Sequence, residues 1–513
     1  MKPVLSPEQM SAVDKAAEAA GVSTEELMDQ AGWAVAREAR GLMGGIYGTR
    51  PVIVCGKGNN AGDGFVAARR LRQWGAIPTV VMTAEPATLK GAALAAYEAL
   101  GGVATQMFDG GRLRKLAARS DVVIDAIVGT GFKGELTGNM ASAAAIINES
   151  QAPVLSVDIP SGVSGETGRV EGQAVFAEVT VTLGALKHGL LLLPGRAHAG
   201  RVVVADIGIP DELLDDAEAF VAEASDIAGL IPPRPPDAHK RSVGKVLVVA
   251  GSAAMPGAAA LTAMGAFRMG AGLVRIAVPE SIAAQVGSIV PEALVSGLPE
   301  TNEGNFDQPA ASAAAELAGA VDAVVVGPGI GRSEQTRQFL FELAGKVELP
   351  FVIDADAISL FAESPTAFSA LADRSVITPH EGELARVLGV KPEDVSFDRM
   401  GSVRKAADLL KTSVLLKGSY TLVSDGAGSM LFFSTTGGPV LATAGSGDVL
   451  AGMVGALAAQ MSVTDAALVA AFIHGAAGDA LAAEVGESGV TASDIADAIP
   501  PAIAGLKSGE DLE

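Results

Sequence analysis

Short apolar segments alternate with Ala-rich helical segments along most of the chain. Two capping patterns, Ser6-Pro7-Glu8-Gln9 and Ser23-Thr24-Glu25-Glu26, predict helices before the first apolar segment, because a capping hydroxyl is followed three residues later by Gln or Glu. Segments bounded by Gly, Asp or Pro then predict strands at Pro51–Cys55, Thr79–Met82, Asp121–Ile127, Pro153–Val157, Val179–Leu183 and Arg201–Ile207. Such alternation is typical of a parallel sheet with helices on both faces.

A second alternating series predicts a second sheet. Its strands are expected at Lys245–Ala250, Val274–Val278, Val321–Val326, Pro350–Asp354, Ser375–Thr378 and Ser413–Lys417, followed by an antiparallel pair at Tyr420–Ser424 and Ser429–Ser434. Between the two series, Pro232-Pro233-Arg234-Pro235-Pro236 indicates a linker, since consecutive prolines resist both helix and strand pairing. We place the domain boundary between about Ile209 and Lys240, and predict an α/β protein with domains at 1–220 and 221–513.

Composition and charge narrow the class of protein. Hydrophobic residues make up 49% and charged residues 19% of the 513 residues, so each domain can bury a substantial core. The formal net charge of −22 argues against a nucleic-acid binder, which needs a basic surplus. Cys55 is the single cysteine, which excludes an intrachain disulfide. With no apolar signal-peptide core near Met1, we expect a cytoplasmic protein that does not bind membranes.

A glycine-rich segment follows the first predicted strand. It reads Gly56-Lys57-Gly58-Asn59-Asn60-Ala61-Gly62-Asp63-Gly64 and precedes a predicted helix, Phe65–Trp74. Such a turn presents free backbone N–H groups and the positive helix end to an anion. The alternative is a tight turn without a ligand, but a plain pyrophosphate turn needs neither the amide pair Asn59-Asn60 nor Asp63.

Polar residues also end two later strands. Asp125 is followed by Gly129-Thr130-Gly131-Phe132, and Asp158 begins Asp158-Ile159-Pro160-Ser161-Gly162. The carboxyl ends of parallel strands converge on one crevice, so Asn60, Asp125 and Ser161 could meet as oxygen ligands of a cation. Each of them could instead be a helix cap or a turn former.

With these motifs, residues 1 to about 210 resemble the epimerase of NAD(P)HX, the hydrated form of NAD(P)H. The resemblance implies a Rossmann-like three-layer domain, a potassium site at Asn60, Asp125 and Ser161, and hydrate binding by Asn59, Asn60, Ala61, Gly62, Asp63, Gly129, Thr130, Gly131, Phe132, Lys133, Gly134, Glu135 and Asp158. Ala61 departs from the family, which usually has glycine there; Ala would be strained only at positive φ. We expect Asp158 to be the acid/base, with Lys187 or water as alternatives.

The second half contains Thr443-Ala444-Gly445-Ser446-Gly447-Asp448 before an apolar helix. Glycines let several N–H groups point at one phosphate, and Asp448 then lies where a substrate hydroxyl would approach a phosphoryl group. The alternative is that Asp448 only caps the helix. Further strand ends carry Gly327-Pro328-Gly329, Thr378-Pro379-His380-Glu381-Gly382-Glu383 and Lys417-Gly418-Ser419-Tyr420-Thr421; the two glutamates could be solvated or hold magnesium through water.

Together these motifs resemble the ribokinase-like ADP/ATP-dependent NAD(P)HX dehydratase across roughly residues 225–505. The resemblance implies nucleotide contacts at Lys417, Gly418, Ser419, Tyr420, Thr421 and Gly447, and hydrate contacts at Ala258, Gly329, His380 and Asp448. Asp448 would be the catalytic base, with ADP or ATP as co-substrate and Mg²⁺ as cofactor.

The sequence therefore predicts repair of hydrated NADH and NADPH by epimerisation and by nucleotide-dependent dehydration. The fused arrangement favours ADP, and we expect a homo-oligomer of four or more chains. A small-alcohol kinase fused to an accessory domain would use the same Asp448 but release a stable phosphate ester. A nucleotide-sensing regulatory protein would bind without turnover. A simple NAD-dependent dehydrogenase is disfavoured, because Asn59-Asn60 crowds the fingerprint.

Overall fold

The chain divides into two compact units. The computed structural model describes residues 1–508. The first unit is Lys2–Glu218, and the second begins at Ala219. The proline-rich segment 232–236 lies inside the second unit, after a short strand, Ala219–Val221, and a short helix, Ala224–Leu230.

The first unit contains a seven-stranded, fully parallel sheet. The strands of the unit are β1 (Lys2–Leu5), β2 (Pro51–Cys55), β3 (Thr79–Met82), β4 (Ala104–Met107), β5 (Val122–Ala126), β6 (Val154–Val157), β7 (Val179–Leu183), β8 (Leu186–Lys187) and β9 (Arg201–Ala205). The sheet order is β4-β3-β2-β5-β6-β7-β9, while β1 and β8 pair in parallel.

Helices cover both faces of this sheet. They are α1 (Pro7–Ala19), α2 (Thr24–Leu42), α3 (Asn59–Gln73), α4 (Gly91–Glu98), α5 (Gly110–Ala117), α6 (Gly138–Asn148), α7 (His188–Leu191) and α8 (Gly195–Ala199). Val52 and Val54 of β2 share a core cluster with α5 and α6, whereas the adjacent Ile53 contacts the opposite helix, α3, at Gly64. Side chains on alternate faces of one buried strand thus join two helical layers. The predicted three-layer α/β arrangement is confirmed.

The second unit is built on a larger sheet. Its strands are β10 (Ala219–Val221), β11 (Lys245–Val249), β12 (Leu273–Pro279), β13 (Leu294–Leu298), β14 (Ala323–Val326), β15 (Phe351–Ile353), β16 (Ser375–Ile377), β17 (Ser413–Leu416), β18 (Thr421–Ser424) and β19 (Leu431–Ser434). They follow the order β13-β12-β11-β14-β15-β16-β17-β18-β19-β10. The strands from β13 to β17 are parallel, and the predicted antiparallel pairing appears at β17-β18-β19.

Its helices are α9 (Ala224–Leu230), α10 (Pro256–Met269), α11 (Ala283–Ile289), α12 (Ala310–Ala318), α13 (Glu334–Lys346), α14 (Asp356–Ala362), α15 (Pro365–Phe368), α16 (Glu381–Leu388), α17 (Pro392–Phe397), α18 (Arg399–Leu410), α19 (Ser446–Ala458), α20 (Val463–Val485) and α21 (Ala492–Ser508). By length and composition α20 could cross a membrane, but 72% of its apolar window is buried within the protein, as in a core helix.

Two glycines bring α10 and α19 into backbone contact. A Cβ atom at Gly265 of α10 would lie 2.1 Å from the Val449 carbonyl oxygen, and one at Gly452 of α19 would lie 1.9 Å from the Thr262 carbonyl oxygen. Only glycine permits this approach. The contact fixes the position of α19, whose first turn carries Asp448.

Candidate functional site

The first candidate site is a cavity of about 960 Å³ within the first unit. It lies at the carboxyl ends of β2, β5 and β6, where the sheet order predicts a ligand crevice. Most of the predicted hydrate-binding residues line it: Asn59, Asn60, Asp63, Gly129, Thr130, Gly131, Phe132 and Asp158. Gly62 instead packs against Met28, and Glu135 packs against Gly172.

Helix α3 begins earlier than the sequence predicted. The segment from Asn59 to Gly64 was expected to be a turn before a helix at Phe65, but it forms the first turns of α3. The N-cap residue, Gly58, has no side chain to cap the helix. The first amide groups of α3 therefore remain available to an anion, and the predicted anion-binding role passes from a loop to a helix terminus.

This helical start also answers the question raised by Ala61. Ala61 lies inside α3 in helical conformation and is fully buried. Its φ is not positive. The replacement of the usual glycine by alanine therefore introduces no backbone strain.

Two of the three predicted cation ligands, Asp125 and Ser161, are in direct contact. Asp125 is fully buried, and its carboxylate accepts hydrogen bonds from the Ser161 hydroxyl (2.6 Å), the Ser161 amide (2.8 Å) and the Ser156 hydroxyl (2.9 Å). Burial raises the pKa of Asp125, although the hydrogen bonds from Ser161 and Ser156 act in the opposite direction. A cation near this carboxylate would offset the cost of burying its charge.

Asn60, the third predicted ligand, lies at the start of α3 and lines the cavity. Within residues 1–508, neither amide atom of its buried side chain has a hydrogen-bond partner. A Cβ atom at Gly129 would lie 3.1 Å from the Asn60 Oδ1 atom, so the amide faces the loop after β5. A buried amide without a partner is costly, and a hard cation that accepts oxygen ligands would satisfy its carbonyl.

Asp158 is held in a strained, ion-paired arrangement. Its φ is 66°, a region that non-glycine residues rarely occupy. One carboxylate oxygen lies 2.7 Å from the Lys187 Nζ atom, and the other accepts the Thr130 amide hydrogen at 3.1 Å. Strain of this kind persists where the surrounding structure enforces it, often at active sites.

Lys187 is committed to these contacts. Its ammonium group also donates to the Leu183 carbonyl (2.6 Å) and the Thr182 hydroxyl (3.1 Å), and the side chain is 1% exposed. An ammonium group has three protons, so all of them have acceptors. Lys187 therefore fixes the position of the Asp158 carboxylate, while the choice of Asp158 over Lys187 or water as the acid/base stays a prediction.

Two further carboxyls line the same cavity. Burial, together with the charges of Asp158 and Asp14, raises the pKa of Asp63 well above its usual range, against an opposing effect of Lys187. Burial also raises the pKa of Asp14 in α1. Sequence reasoning missed Asp14; its signal is the spacing of four residues from Met10, which places both on one face of α1 and in the cavity lining.

The second candidate site lies at the carboxyl ends of the parallel strands in the second unit. Lys417 follows β17 and forms an ion pair with Asp354, which follows β15, at 2.9 Å. Asp354 also accepts the Thr378 hydroxyl at 2.7 Å. Burial alone lowers the pKa of Lys417, but the carboxylates of Asp354 and Glu383 outweigh it and the pKa is raised. Lys417 therefore carries a stable positive charge into the site.

Asp448 lies in the first turn of α19, as predicted. The N-cap residue, Gly445, has a φ of 88°, which lets the chain enter the helix from the glycine-rich turn. Burial, with the charge of Asp354, raises the pKa of Asp448 to about 7, against an opposing effect of Lys417. A carboxyl that titrates near neutrality is suited to accept a proton from a substrate hydroxyl.

The predicted nucleotide residues lie in two segments, Lys417–Thr421 and the start of α19. A Cβ atom at Gly447 would lie 3.3 Å from the Lys417 Nζ atom, so the first turn of α19 approaches the lysine. Gly418 has a φ of 153°, and Thr421 begins β18. Arg399 donates to the Tyr420 carbonyl at 3.2 Å and forms an ion pair with Glu381. Sequence reasoning missed this arginine, which braces the segment Lys417–Thr421.

Two predicted hydrate contacts are direct neighbours. A Cβ atom at Gly329, which has a φ of 66°, would lie 2.9 Å from the Ala258 Cβ atom. The positive φ favours glycine, and the close approach leaves no room for a side chain. The contact between Ala258 and Gly329 follows from the packing of α10 against the loop after β14.

His380 is the N-cap of α16. Its Nδ1 atom accepts the amide hydrogens of Gly382 (3.0 Å) and Glu383 (3.4 Å), and its own amide donates to Glu383 at 3.0 Å. The remaining ring nitrogen, Nε2, lies 3.5 Å from the Glu383 Oε1 atom, and the side chain is 62% exposed. His380 is therefore oriented by the helix start while its outer edge stays accessible.

The two glutamates considered for magnesium have protein partners. Glu381 contacts Arg399 and Ser396, while Glu383 contacts the His380 backbone. In the described part of the chain, no group of three or more His, Cys, Asp or Glu side chains is placed to bind a metal ion.

Family models match both units. The model described as YjeF-related protein N-terminus matches residues 24–189, and the model described as NAD(P)H-hydrate dehydratase matches residues 246–501.

Full-length relatives also match this chain. The protein named "Bifunctional NAD(P)H-hydrate repair enzyme Nnr" from Thermofilum pendens is 39% identical over 505 residues, which cover 97% of this chain and 95% of the relative. Its namesake from Moorella thermoacetica is 36% identical and covers 94% and 92%. The solved ADP/ATP-dependent NAD(P)H-hydrate dehydratase from Bacillus subtilis, co-crystallised with ATP/Mg²⁺, is 26% identical with a TM-score of 0.47, and covers 55% of this chain and 97% of that chain.

Proposed function

Because this chain belongs to the family of bifunctional NAD(P)H-hydrate repair enzymes, we propose that its first unit interconverts the two C6 epimers of NAD(P)HX and its second unit dehydrates one of them. The chain is an isomerase and a lyase in one polypeptide. The observation that supports this division is a separate aspartate in each unit: Asp158, which is paired with Lys187, and Asp448, whose pKa is raised to about 7.

In the epimerase site we assign the proton transfer to Asp158. The lone pair of the ring nitrogen assists loss of the C6 hydroxyl as water, and water then adds to either face of the iminium. Asp158 donates the proton with which the hydroxyl leaves as water, and then accepts a proton from the water that adds. Lys187 and the Thr130 amide hold the carboxylate in place during both steps.

The potassium site would consist of Asn60, Asp125 and Ser161. The residues fit this ion, because Asn60 has an amide oxygen without a partner, and Asp125 and Ser161 supply hard oxygen atoms. When bound, potassium would supply a fixed positive charge beside the buried carboxylate. Replacing potassium with the larger tetramethylammonium ion, which cannot enter, should lower the melting temperature of the wild-type protein but not that of Asn60→Leu.

In the dehydratase site, Asp448 accepts the proton of the C6 hydroxyl, whose oxygen attacks the terminal phosphoryl group of the nucleotide. Amides at the start of α19 and the Lys417 ammonium stabilise the developing charge. The C6–O bond of the phosphate ester then breaks, phosphate leaves, and loss of a C5 proton gives the dihydronicotinamide. Overall, the hydrate and ADP are converted to NAD(P)H, AMP and phosphate.

We propose that Ala258, Gly329 and His380 contact the hydrate, and that Gly447 and the segment Lys417–Thr421 contact the nucleotide. Magnesium would enter with the nucleotide, since it commonly binds through substrate phosphates and water. Preference for ADP over ATP, assembly into four or more chains, and a cytoplasmic location stay predictions. Light scattering would test the assembly.

One experiment tests both activities. The protein is incubated with purified S or R hydrate of NADH and with ADP, ATP or no nucleotide, and the absorbance of reduced nicotinamide is followed. We expect rapid recovery from one epimer and slower, complete recovery from the other, only with nucleotide. A stable phosphorylated hydrate without recovery would instead indicate a small-alcohol kinase.

A further inference from the structure

Helix α20 supports the glycine-rich turn before Asp448 from behind. The Thr436 hydroxyl donates to the Phe472 carbonyl at 2.8 Å, and the Gly437 amide donates to the Asp479 carboxylate at 2.8 Å. A Cβ atom at Gly475 would lie 2.3 Å from the Thr436 hydroxyl oxygen. The segment leading to Asp448 is thus pressed against one face of α20.

A third contact reaches the turn itself. The His474 Nε2 atom of α20 lies 3.2 Å from the Ser446 hydroxyl oxygen. Both side chains are buried. Burial lowers the pKa of His474 to about 4, so the ring is neutral near pH 7. A neutral ring can share a hydrogen bond with the hydroxyl without adding a charge beside Lys417.

The first turn of α19 needs such an external contact. Its N-cap residue is Gly445, which has positive φ and offers no side-chain capping bond. Ser446 follows directly and precedes Gly447 and Asp448. Glycine on either side of Ser446 leaves this backbone free to adopt other conformations. The Ser446 hydroxyl ties this turn to α20 through its contact with His474.

We propose that His474 and Ser446 form a positioning pair that fixes the phosphate-binding amides before Asp448. The pair acts on nucleotide binding through the turn, and neither residue exchanges a proton with the substrate. This inference rests on the assignment of the turn to the nucleotide. It adds two residues to the dehydratase site that its glycine-rich motif does not itself require.

The test compares His474→Ala, His474→Gln, Ser446→Ala and the double variant His474→Ala/Ser446→Ala. We expect either Ala variant to raise the dehydratase KM for ADP by about tenfold, as for loss of one hydrogen bond. His474→Gln can still bond to the hydroxyl and should stay within about threefold of wild type. The KM for ADP of the double variant should not exceed that of the more impaired single variant, because both substitutions remove the same interaction.

A matched control is Ser375→Ala. Ser375 is also buried and hydrogen-bonded, to the Thr412 hydroxyl at 2.6 Å, but it lies at the amino end of β16, whereas the site lies at the carboxyl ends. The Ser375→Ala substitution should lower the melting temperature without changing the KM for ADP. The inference is overturned if His474→Ala and Ser446→Ala behave like this control, or if their effects multiply.

The proposed function is tested separately. If wild-type protein fails to recover NADH from hydrate and ADP, the assignment of the site fails. If wild type is active and only the pair variants leave the KM for ADP unchanged, the positioning role alone fails. Should His474→Ala not fold, Ser446→Ala decides the question, since it removes a single buried hydroxyl oxygen.

Discussion

The two sites use the same pair of residue types, aspartate and lysine, in opposite ways. In the first unit, Lys187 lies 2.7 Å from Asp158, the proposed acid/base itself. In the second unit, Lys417 lies 2.9 Å from a different aspartate, Asp354, while Asp448 is left to titrate near pH 7. The lysine therefore holds the proposed acid/base itself in the first unit, whereas in the second unit it holds a neighbour of the proposed base.

The largest expected effect comes from removing the proposed base of the dehydratase site. Asp448→Asn removes the base and should lower the kcat of dehydration by about 10³-fold or more, since general-base catalysis contributes about 10²–10⁴-fold. Epimerisation, measured on the same sample by chromatography of the two epimers, should be unchanged. Loss of both reactions in a folded protein would contradict two independent sites.

The next effect breaks the Lys187–Asp158 pair. Lys187→Met leaves a buried carboxylate without its cation, and should destabilise the first unit by about 3 kcal/mol and slow epimerisation by about 100-fold. Denaturant unfolding and epimer exchange measure the two effects.

A surface pair provides the matched control for this change. Asp29 forms ion pairs with Arg69 and Arg70 and is 35% exposed. Asp29→Asn should cost less than about 1 kcal/mol. If Lys187→Met costs no more than Asp29→Asn, the pair does not hold Asp158 as we describe.

A smaller effect concerns pH. As a base, Asp448 works only when ionised, so the kcat/KM of dehydration should fall as the pH drops below about 7. Asp354→Asn removes a negative charge that raises the pKa of Asp448 and releases Lys417. Both changes favour the ionised carboxylate, so the acid limb of the pH profile should move down by about one unit.

Asp322→Asn is the control for this shift. Asp322 pairs with Lys245 at 3.1 Å, at the opposite ends of the strands. The pH profile of the Asp322→Asn variant should coincide with that of wild type. An unshifted limb in Asp354→Asn would show that Asp354 does not set the protonation of Asp448.

The smallest effect tests the departure at Ala61. Since Ala61 is in helical conformation, Ala61→Gly should destabilise the first unit by about 1 kcal/mol, the cost of glycine in a helix. Ala68→Gly, at a buried position further along α3, should cost about as much. Thermal unfolding measures both. A more stable Ala61→Gly protein would indicate that the alanine is strained.

The central strands could be predicted from the sequence because buried parallel strands are continuous apolar runs. The strands β1, β4, β8 and β13 were missed. The side chains of β4 are mostly exposed at the sheet edge, and β13 is only partly buried, so neither shows a clear apolar pattern. The start of α3 was misplaced because glycines read as a loop, whereas Gly62 and Gly64 are needed for contact with Met28 and Ala126.

The family and its two activities were predicted from motifs and are confirmed by the full-length relatives. The roles of individual site residues stay predictions. The motifs bring the right residues to the strand ends, but they do not show which lysine pairs with which aspartate. Asp354 and Lys417 are 63 positions apart, and their pairing depends on the order of strands in the folded sheet.

The glycine contact between α10 and α19 makes the dehydratase sensitive to mutations that touch no ligand. Gly452 lies one helical turn beyond Asp448, so a methyl group there would push the whole helix away from Thr262. Because a packed helix moves as a rigid rod, its displacement would carry the base out of line with the hydroxyl. Harmful substitutions in this protein can therefore be purely geometric, with every reactive group still present.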